Sequence, residues 1–367
     1  MANTMKALVS NRSIVARIFN LSTGKSGFKG AHVINVPKPK IADQEILVKV
    51  NAVALNPSDY KHIDVISPKN CIVGCDYAGE VVEVGNSATG SWKVGDRVAG
   101  VVHGGLYHDR GAFAEYLKID ADLAWKVPSG VSDEEAATYG VSAVTAVLAI
   151  NVHLGLPWPD QAGQSEKTTT STSEKRVVFI YAGSTSVGLF ALQLAKLAGY
   201  TVVTTASPHS YDLVKRYGAN HVYNYKSENW VQEVTSNFPD ITLALDCFSE
   251  GGSGPSTGQV LKDKGGKIVT LLDQGESKVP GVKYDMIMLY TVFGKEFAWL
   301  QPIGPKFPVD MEHRNALARF YSILPQLTNA IKPPPIQTIN GGIDILLEKL
   351  DLLRQGKVSG SKLVVKF

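Results

Sequence analysis

The sequence predicts an α/β protein, a doubly wound parallel sheet of the Rossmann type joined to a β-rich domain. Two observations carry this. From Val177 onward short apolar strands alternate with helical segments, and the first strand feeds a glycine turn and then a helix. Over roughly the first 130 residues, by contrast, the strands are broken by glycine and proline, the habit of a compact β domain.

In chain order, Met1-Ala-Asn-Thr-Met-Lys6 runs straight into a strand with no apolar leader. Glu45–Val50, Gly79–Gly85 and Asp96–Gly100 read as strands of the first domain. Gln161–Lys175, rich in Ser, Thr, Gly and charge, reads as a flexible surface loop and as the place to look for partner contacts.

The most informative stretch is Val177-Val-Phe-Ile-Tyr-Ala-Gly-Ser-Thr-Ser-Val-Gly188 with the apolar-periodic run Leu189–Gly199 behind it. A strand, a tight turn and a helix in that order aim unpaired backbone N–H groups and the positive end of a helix dipole at one point, where a pyrophosphate can sit. Gly183, Ser184, Thr185, Ser186, Val187 and Gly188 are therefore candidate cofactor contacts, although Thr185 stands where G-x-G-x-x-G has its second glycine. A phosphate-binding P-loop is excluded because Leu189-Phe190 follows Gly188. A serine-hydrolase elbow is excluded because Ser184 is not glycine.

Further strands are expected at Tyr200–Ala206, His221–Tyr225, Thr242–Asp246 and Lys267–Leu272, with a short helix at Tyr211–Tyr217. The second strand ends in Thr204-Thr-Ala-Ser-Pro-His209, without the carboxylate that bonds the ribose 2′-hydroxyl of NAD. Ser207 offers a hydroxyl there, and Lys215, Arg216 and Tyr225 are candidate neighbours of a 2′-phosphate, so NADPH is expected over NADH. The C-terminal stretch Ile339–Phe367 reads as an amphipathic helix capped by Gly356 and then a strand that returns to the first domain. The expected domains are 1–131 with 301–367, and 132–300, with the cofactor in the cleft between them.

Composition narrows the class. With 367 residues and 44% apolar content the chain is long enough for two globular domains, and its net charge of +3 with no Lys/Arg cluster gives no reason to expect nucleic acid or an acidic membrane as partner. Three cysteines, Cys71, Cys75 and Cys247, form no disulfide framework, and no run reaches 18 apolar residues; a cytoplasmic, reducing home is the expectation.

A series of landmarks, Asn56-Pro-Ser-Asp-Tyr-Lys61, Gly74-Cys-Asp-Tyr-Ala-Gly79, Val94-Gly-Asp-Arg-Val98, Gly111-Ala-Phe-Ala-Glu-Tyr116, the glycine turn and Ser359-Gly-Ser-Lys-Leu-Val364, resembles the medium-chain dehydrogenase/reductase superfamily over nearly the whole chain. It is most similar to the zinc-free quinone oxidoreductases and the fungal trans-acting enoyl reductases. The resemblance implies a GroES-like catalytic domain beside the Rossmann domain, an NADPH cofactor, a small-molecule substrate, a polyketide synthase or other carrier of enoyl thioesters as partner, and a monomer or homodimer. It also implies cofactor contacts from Thr145, Leu272, Phe293, Gly294, His209 and Lys362.

The superfamily's zinc alcohol dehydrogenases bind catalytic zinc with Cys, His and Cys, positions that match Asn56, Cys75 and Tyr139 here. No zinc is therefore expected, and alcohol oxidation by a Lewis acid is not expected either. What remains is hydride addition to a double bond conjugated with a carbonyl, where donors aimed at the developing enolate oxygen lower the barrier. The candidates are the amide of Asn56, the phenol of Tyr60 and the ammonium of Lys61, with Asp59 orienting them. His103, Tyr107 and His108 are further candidates for substrate contact. Reduction of aldehydes is the enzymatic alternative, and a dinucleotide-binding association protein is the alternative outside catalysis.

Overall fold

The computed structural model describes residues 3–24, 30–161 and 176–367. Residues 162–175, nearly all of the expected Ser/Thr-rich loop, lie outside the described residues. The chain divides into two units, one of residues 1–141, 290–325 and 335–367, the other of residues 142–289 and 326–334. Residues 132–141 and 290–300, which the sequence pattern groups with the nucleotide half, thus belong to the first unit. The cause is local bonding: the Val141 N–H donates to Asp76 at 2.6 Å and the Tyr321 hydroxyl donates to the Tyr139 carbonyl at 3.2 Å.

In the first unit β1 (Thr4–Ser10) and β2 (Ala31–Pro37) form an antiparallel pair, and between them lies a helix, Ile14–Thr23, capped by Ser13 and Gly24, that the sequence reading does not include. The main sheet contains β3 (Glu45–Ala54), β4 (Asp76–Val84), β5 (Arg97–Val101), β6 (Tyr116–Asp120) and β7 (Ala124–Lys126). β3 is the hub, pairing with β4 and β6 and with the last strand of the chain. Its residues Ile46, Leu47, Val48 and Val50 are all buried, as a strand covered on both faces requires. Opposite Val50 stands Gly79, where a Cβ would lie 2.0 Å from the Lys49 carbonyl oxygen; no side chain fits.

The second unit is a six-stranded parallel sheet of β8 (Val177–Tyr181), β9 (Thr201–Ala206), β10 (His221–Asn224), β11 (Leu243–Asp246), β12 (Gly266–Thr270) and β13 (Val282–Met286). The strand order β10-β9-β8-β11-β12-β13 is that of a doubly wound fold, with its switch point at β8. Phe179, Val203, Ala244 and Ile268 of the central strands form one core with Trp230 and Val234 of the crossover helix Trp230–Asn237. The sixth strand, absent from the sequence reading, pairs only with β12 and alternates apolar and charged residues over just five positions.

The remaining strands, β14 (Phe297–Ala298), β15 (Lys306–Phe307), β16 (Ile336–Asn340) and β17 (Lys362–Lys366), belong to the first unit. Ile339 and Asn340 finish a strand instead of opening a helix, since Gly341 at φ 146° and Gly342 at φ 61° turn the chain before the helix Leu346–Arg354. β17 does return to the first unit, pairing antiparallel with β3 from Val364 opposite Ala54. Among the described residues no single helix is long and apolar enough to cross a membrane.

Candidate functional site

Asn56-Pro57-Ser58-Asp59 starts a short helix, Pro57–Lys61, with proline in the first turn, where its missing N–H costs nothing. The Asp59 carboxylate folds back to accept the Asn56 N–H at 2.7 Å, so its role is to fix the turn. Tyr60 and Lys61 follow, both half-buried, with the Arg354 guanidinium 5.2 Å from the Tyr60 ring centroid. The chain then continues through a wide π turn, His62–Ile66.

Asn56 does something other than expected. It is 1% exposed; its Nδ2 donates to Asp76 Oδ2 at 2.9 Å and reaches the Ala54 carbonyl at 3.4 Å, while its Oδ1 accepts from Lys362. Both amide hydrogens are engaged inside the protein, so Asn56 is a tether and not a donor left over for substrate. Lys362, placed with the cofactor by resemblance, is 3% exposed and has its ammonium 3.5 Å from Asp76 Oδ2. A buried ammonium must stay beside a counter-charge, and Asp76 supplies it.

Next to this knot the Cys75 sulfur lies 3.6 Å from the Tyr290 hydroxyl, which in turn lies 3.4 Å from His62 Nδ1. The His103 ring stacks on Tyr290 at 4.2 Å between centroids, so His103 is a buried packing residue and not a loop histidine open to substrate. His108 is exposed with its ring bonded to the Asn70 carbonyl at 2.9 Å. Burial drives the titrations. It pushes His62 down to about 4 and the Cys75 thiol well up, and with Asp76 nearby it raises Asp59 to about 7. Tyr290 has no sequence signal, since it stands 215 positions from Cys75. The Asp59 turn does have one, an acid three residues after an Asn and a Pro at the next position.

The donor set at Asn56, Cys75 and Tyr139 does not fit zinc: a tethered amide, a thiol held protonated, and a phenol buried against Trp125 at 5.5 Å between ring centroids.

In the second unit the candidate cofactor residues gather at the carboxyl ends of the parallel strands. Gly183–Gly188 follow β8, Ser207 and His209 follow β9, Tyr225 follows β10, and Leu272 lies just past the end of β12, 37% exposed. Leu272 is thus beyond the strand that the pattern extended to it. Thr185 is the N-cap of the helix Ser186–Leu197, accepting the Gly188 N–H at 3.0 Å and donating to the Ala182 carbonyl at 2.9 Å, which explains why Thr replaces glycine. The amides of Ser186 and Val187 open that helix and have no carbonyl a turn earlier to accept them. A Cβ on Gly188 would lie 2.6 Å from the Ala182 carbonyl and on Gly183 2.2 Å from Thr204 Oγ1, so the turn is drawn tight against the strand. These features fit a pyrophosphate. The Ser207 hydroxyl lies 3.4 Å from that of Tyr225, and His209 and Lys215 are exposed. Thr145, in the helix Val141–Val147, is 6% exposed. Phe293 and Gly294, the latter at φ 61°, lie in the first unit.

Two family models match the chain: the alcohol dehydrogenase GroES-like domain over residues 42–129, and the zinc-binding dehydrogenase domain over residues 186–286, a stretch that includes none of the three positions tested for zinc. A trans-enoyl reductase of Cochliobolus carbonum is 38% identical over 74% of this chain and 90% of its own length. One from Alternaria alternata is 35% identical over 91% of this chain and 95% of its own. Among solved structures, the quinone oxidoreductase from Coxiella burnetii superposes with a TM-score of 0.67 at 23% identity, over 99% of each chain. The CurK enoyl reductase superposes with a TM-score of 0.71 at 19% identity, over 100% of this chain and 99% of its own. At these identities the structures speak to the fold.

Proposed function

This chain belongs to the medium-chain dehydrogenase/reductase superfamily, in the branch of the fungal trans-enoyl reductases, and on that premise we propose that it reduces activated C=C bonds with NADPH and without zinc. Enones, enoyl thioesters and quinones are the substrate class. The observation that carries the reading is the Pro57–Lys61 helix, which carries a phenol at Tyr60 and an ammonium at Lys61 directly after Asn56, the position that matches a ligand of the zinc enzymes. Bound nicotinamide supplies the hydride. Lys61 and Tyr60 are then the donors for the carbonyl oxygen on which charge develops as the β-carbon is reduced.

The 2′-phosphate of NADPH is received at Ser207 and Tyr225, with Lys215 as the nearby cation, and the pyrophosphate at Gly183–Gly188. An enoyl group presented on a carrier protein of a polyketide synthase is the natural form of the substrate, and the protein acts as a monomer or homodimer in the cytoplasm. The test is NADPH consumption with a panel of enoyl thioesters, enones, quinones and aldehydes. Turnover of the conjugated substrates supports the reading. Turnover of aldehydes alone makes it a carbonyl reductase, and tight NADPH binding with no turnover makes it an association protein.

A further inference from the structure

We propose that Lys362 is a positioning residue for this reduction: through the Asn56 amide it sets the orientation of the Pro57–Lys61 helix and of the Tyr60 and Lys61 side chains that the helix carries. The proposal rests on the reading of those two residues as substrate contacts.

Lys362, Asn56 and Asp76 form a closed triangle of one cation, one amide and one anion, each of them at most 3% exposed. Asp76 cannot yield. Its Oδ1 accepts the Val141 N–H at 2.6 Å, and a Cβ on Gly140 would stand 2.1 Å from that same oxygen. Nor can the amide turn over, because a flip would point its NH2 at the ammonium and its oxygen at the carboxylate. Lys362 therefore decides which way the Asn56 side chain faces. The Asn56 backbone N–H is held in turn by Asp59 in the first turn of the helix, so the orientation is passed along three hydrogen bonds. Stability does not explain a buried ion pair on the last strand, since well-packed apolar replacements of such pairs are often neutral or better. A fully satisfied polar network does impose one arrangement.

Three variants and the parent are compared for melting temperature, NADPH affinity, and kcat and KM with a trans-2-enoyl N-acetylcysteamine thioester. Lys362→Met is expected to lower kcat about 100-fold, the scale of a displacement of about 1 Å at a reacting group, with NADPH affinity within about twofold of the parent. Lys362→Met with Asp76→Asn removes both partners of the Lys362–Asp76 ion pair; its melting temperature returns toward the parent while kcat stays low. Asn56→Leu keeps the ion pair, guards against a Lys362 variant that fails to fold, and lowers kcat to a similar degree. A kcat within about twofold of the parent in Lys362→Met or Asn56→Leu overturns the proposal. So does a kcat that recovers together with the melting temperature in the double variant. If the parent turns over no substrate, the functional reading fails separately. The positioning is then read from the Asn56 side-chain amide resonances, which shift and broaden in Lys362→Met, and unchanged resonances reject it.

Discussion

The hydroxyl of Tyr290 lies 3.6 Å from the sulfur of Cys75. That sulfur has no access to water, and burial together with the carboxylates of Asp59 and Asp76 raises its pKa well above that of a free thiol. The native protein should leave Cys75 unlabelled by a disulfide reagent at pH 8 until the chain is unfolded. Rapid labelling, with the site mapped to Cys75 by mass spectrometry, would show that the thiol is not buried in solution. Tyr290→Phe removes one of the sulfur's hydrogen-bond partners and should lower stability by about 1 kcal/mol.

Lys61 is the residue on which the chemistry turns in our reading. Lys61→Met keeps the aliphatic stem and removes the charge-assisted hydrogen bond, so kcat should fall by about 10²–10³, the equivalent of roughly 2.7–4 kcal/mol. NADPH affinity should not change. A rise in KM at constant kcat would instead make Lys61 a binding residue, and both constants within about twofold of the parent would remove it from the site.

Ser207 and Tyr225 face each other across a gap of 3.4 Å, which suits a 2′-phosphate. NADPH should bind at least about tenfold more tightly than NADH, the worth of one hydrogen bond to a charged group. Ser207→Asp should erase or invert the preference. Equal affinities in the parent, measured by fluorescence titration, would mean that no such pocket exists.

His62 and Asp59 pull stability in opposite directions with pH. His62 has its pKa lowered to about 4, so between about 4 and its ordinary value of 6.5 the unfolded chain binds the extra proton and stability falls as pH is lowered. Asp59 has its pKa raised to about 7 from 3.8, so over that span the folded protein binds the extra proton and stability falls as pH is raised. The two slopes offset where they overlap. In Asp59→Asn only the His62 contribution remains, and its melting temperature should rise more steeply with pH between about 4 and 6.5 than the parent's. Parallel curves for the two proteins would show that Asp59 titrates normally.

Much of this arrangement was legible because it is local. The glycine turn, the strands β8 to β12 and the fold back of β17 follow from apolar periodicity and from Gly and Pro at fixed offsets, signals that lie within a dozen residues of one another. The edge strand β13 does alternate apolar and charged residues, but over only five positions, with Lys283 and Met286 exposed, a run short enough to pass for a loop. The helix Ile14–Thr23 does carry signals, apolar Ile14, Ile18 and Leu21 at helical spacing between Ser13 and Gly24, but its apolar Val15 and Phe19 are 73% and 59% exposed, so that pattern does not mark a core-facing stripe. The polar knot was out of reach altogether. Asn56 and Lys362 are 306 positions apart, and nothing in either neighbourhood says that a lysine followed by Leu-Val-Val ends up buried against an asparagine after a strand. Motif matching therefore finds the helix that bears Tyr60 and Lys61 but misassigns the residues that hold it.

The strand that carries Lys362 leaves the ribosome after every other strand of the two described units. The first unit cannot complete its main sheet until residues 362–366 have emerged, whereas residues 142–289, nearly all of the second unit, are made well before then. Synthesis thus imposes an order: the parallel-sheet unit can mature early, and the first unit waits as an open sheet with Ala52–Ala54 of β3 unpaired on that side. An edge left open in this way is a template for pairing with other chains until β17 adds to it. A stop codon at position 362, which removes β17, should therefore cost the cell soluble protein as well as activity.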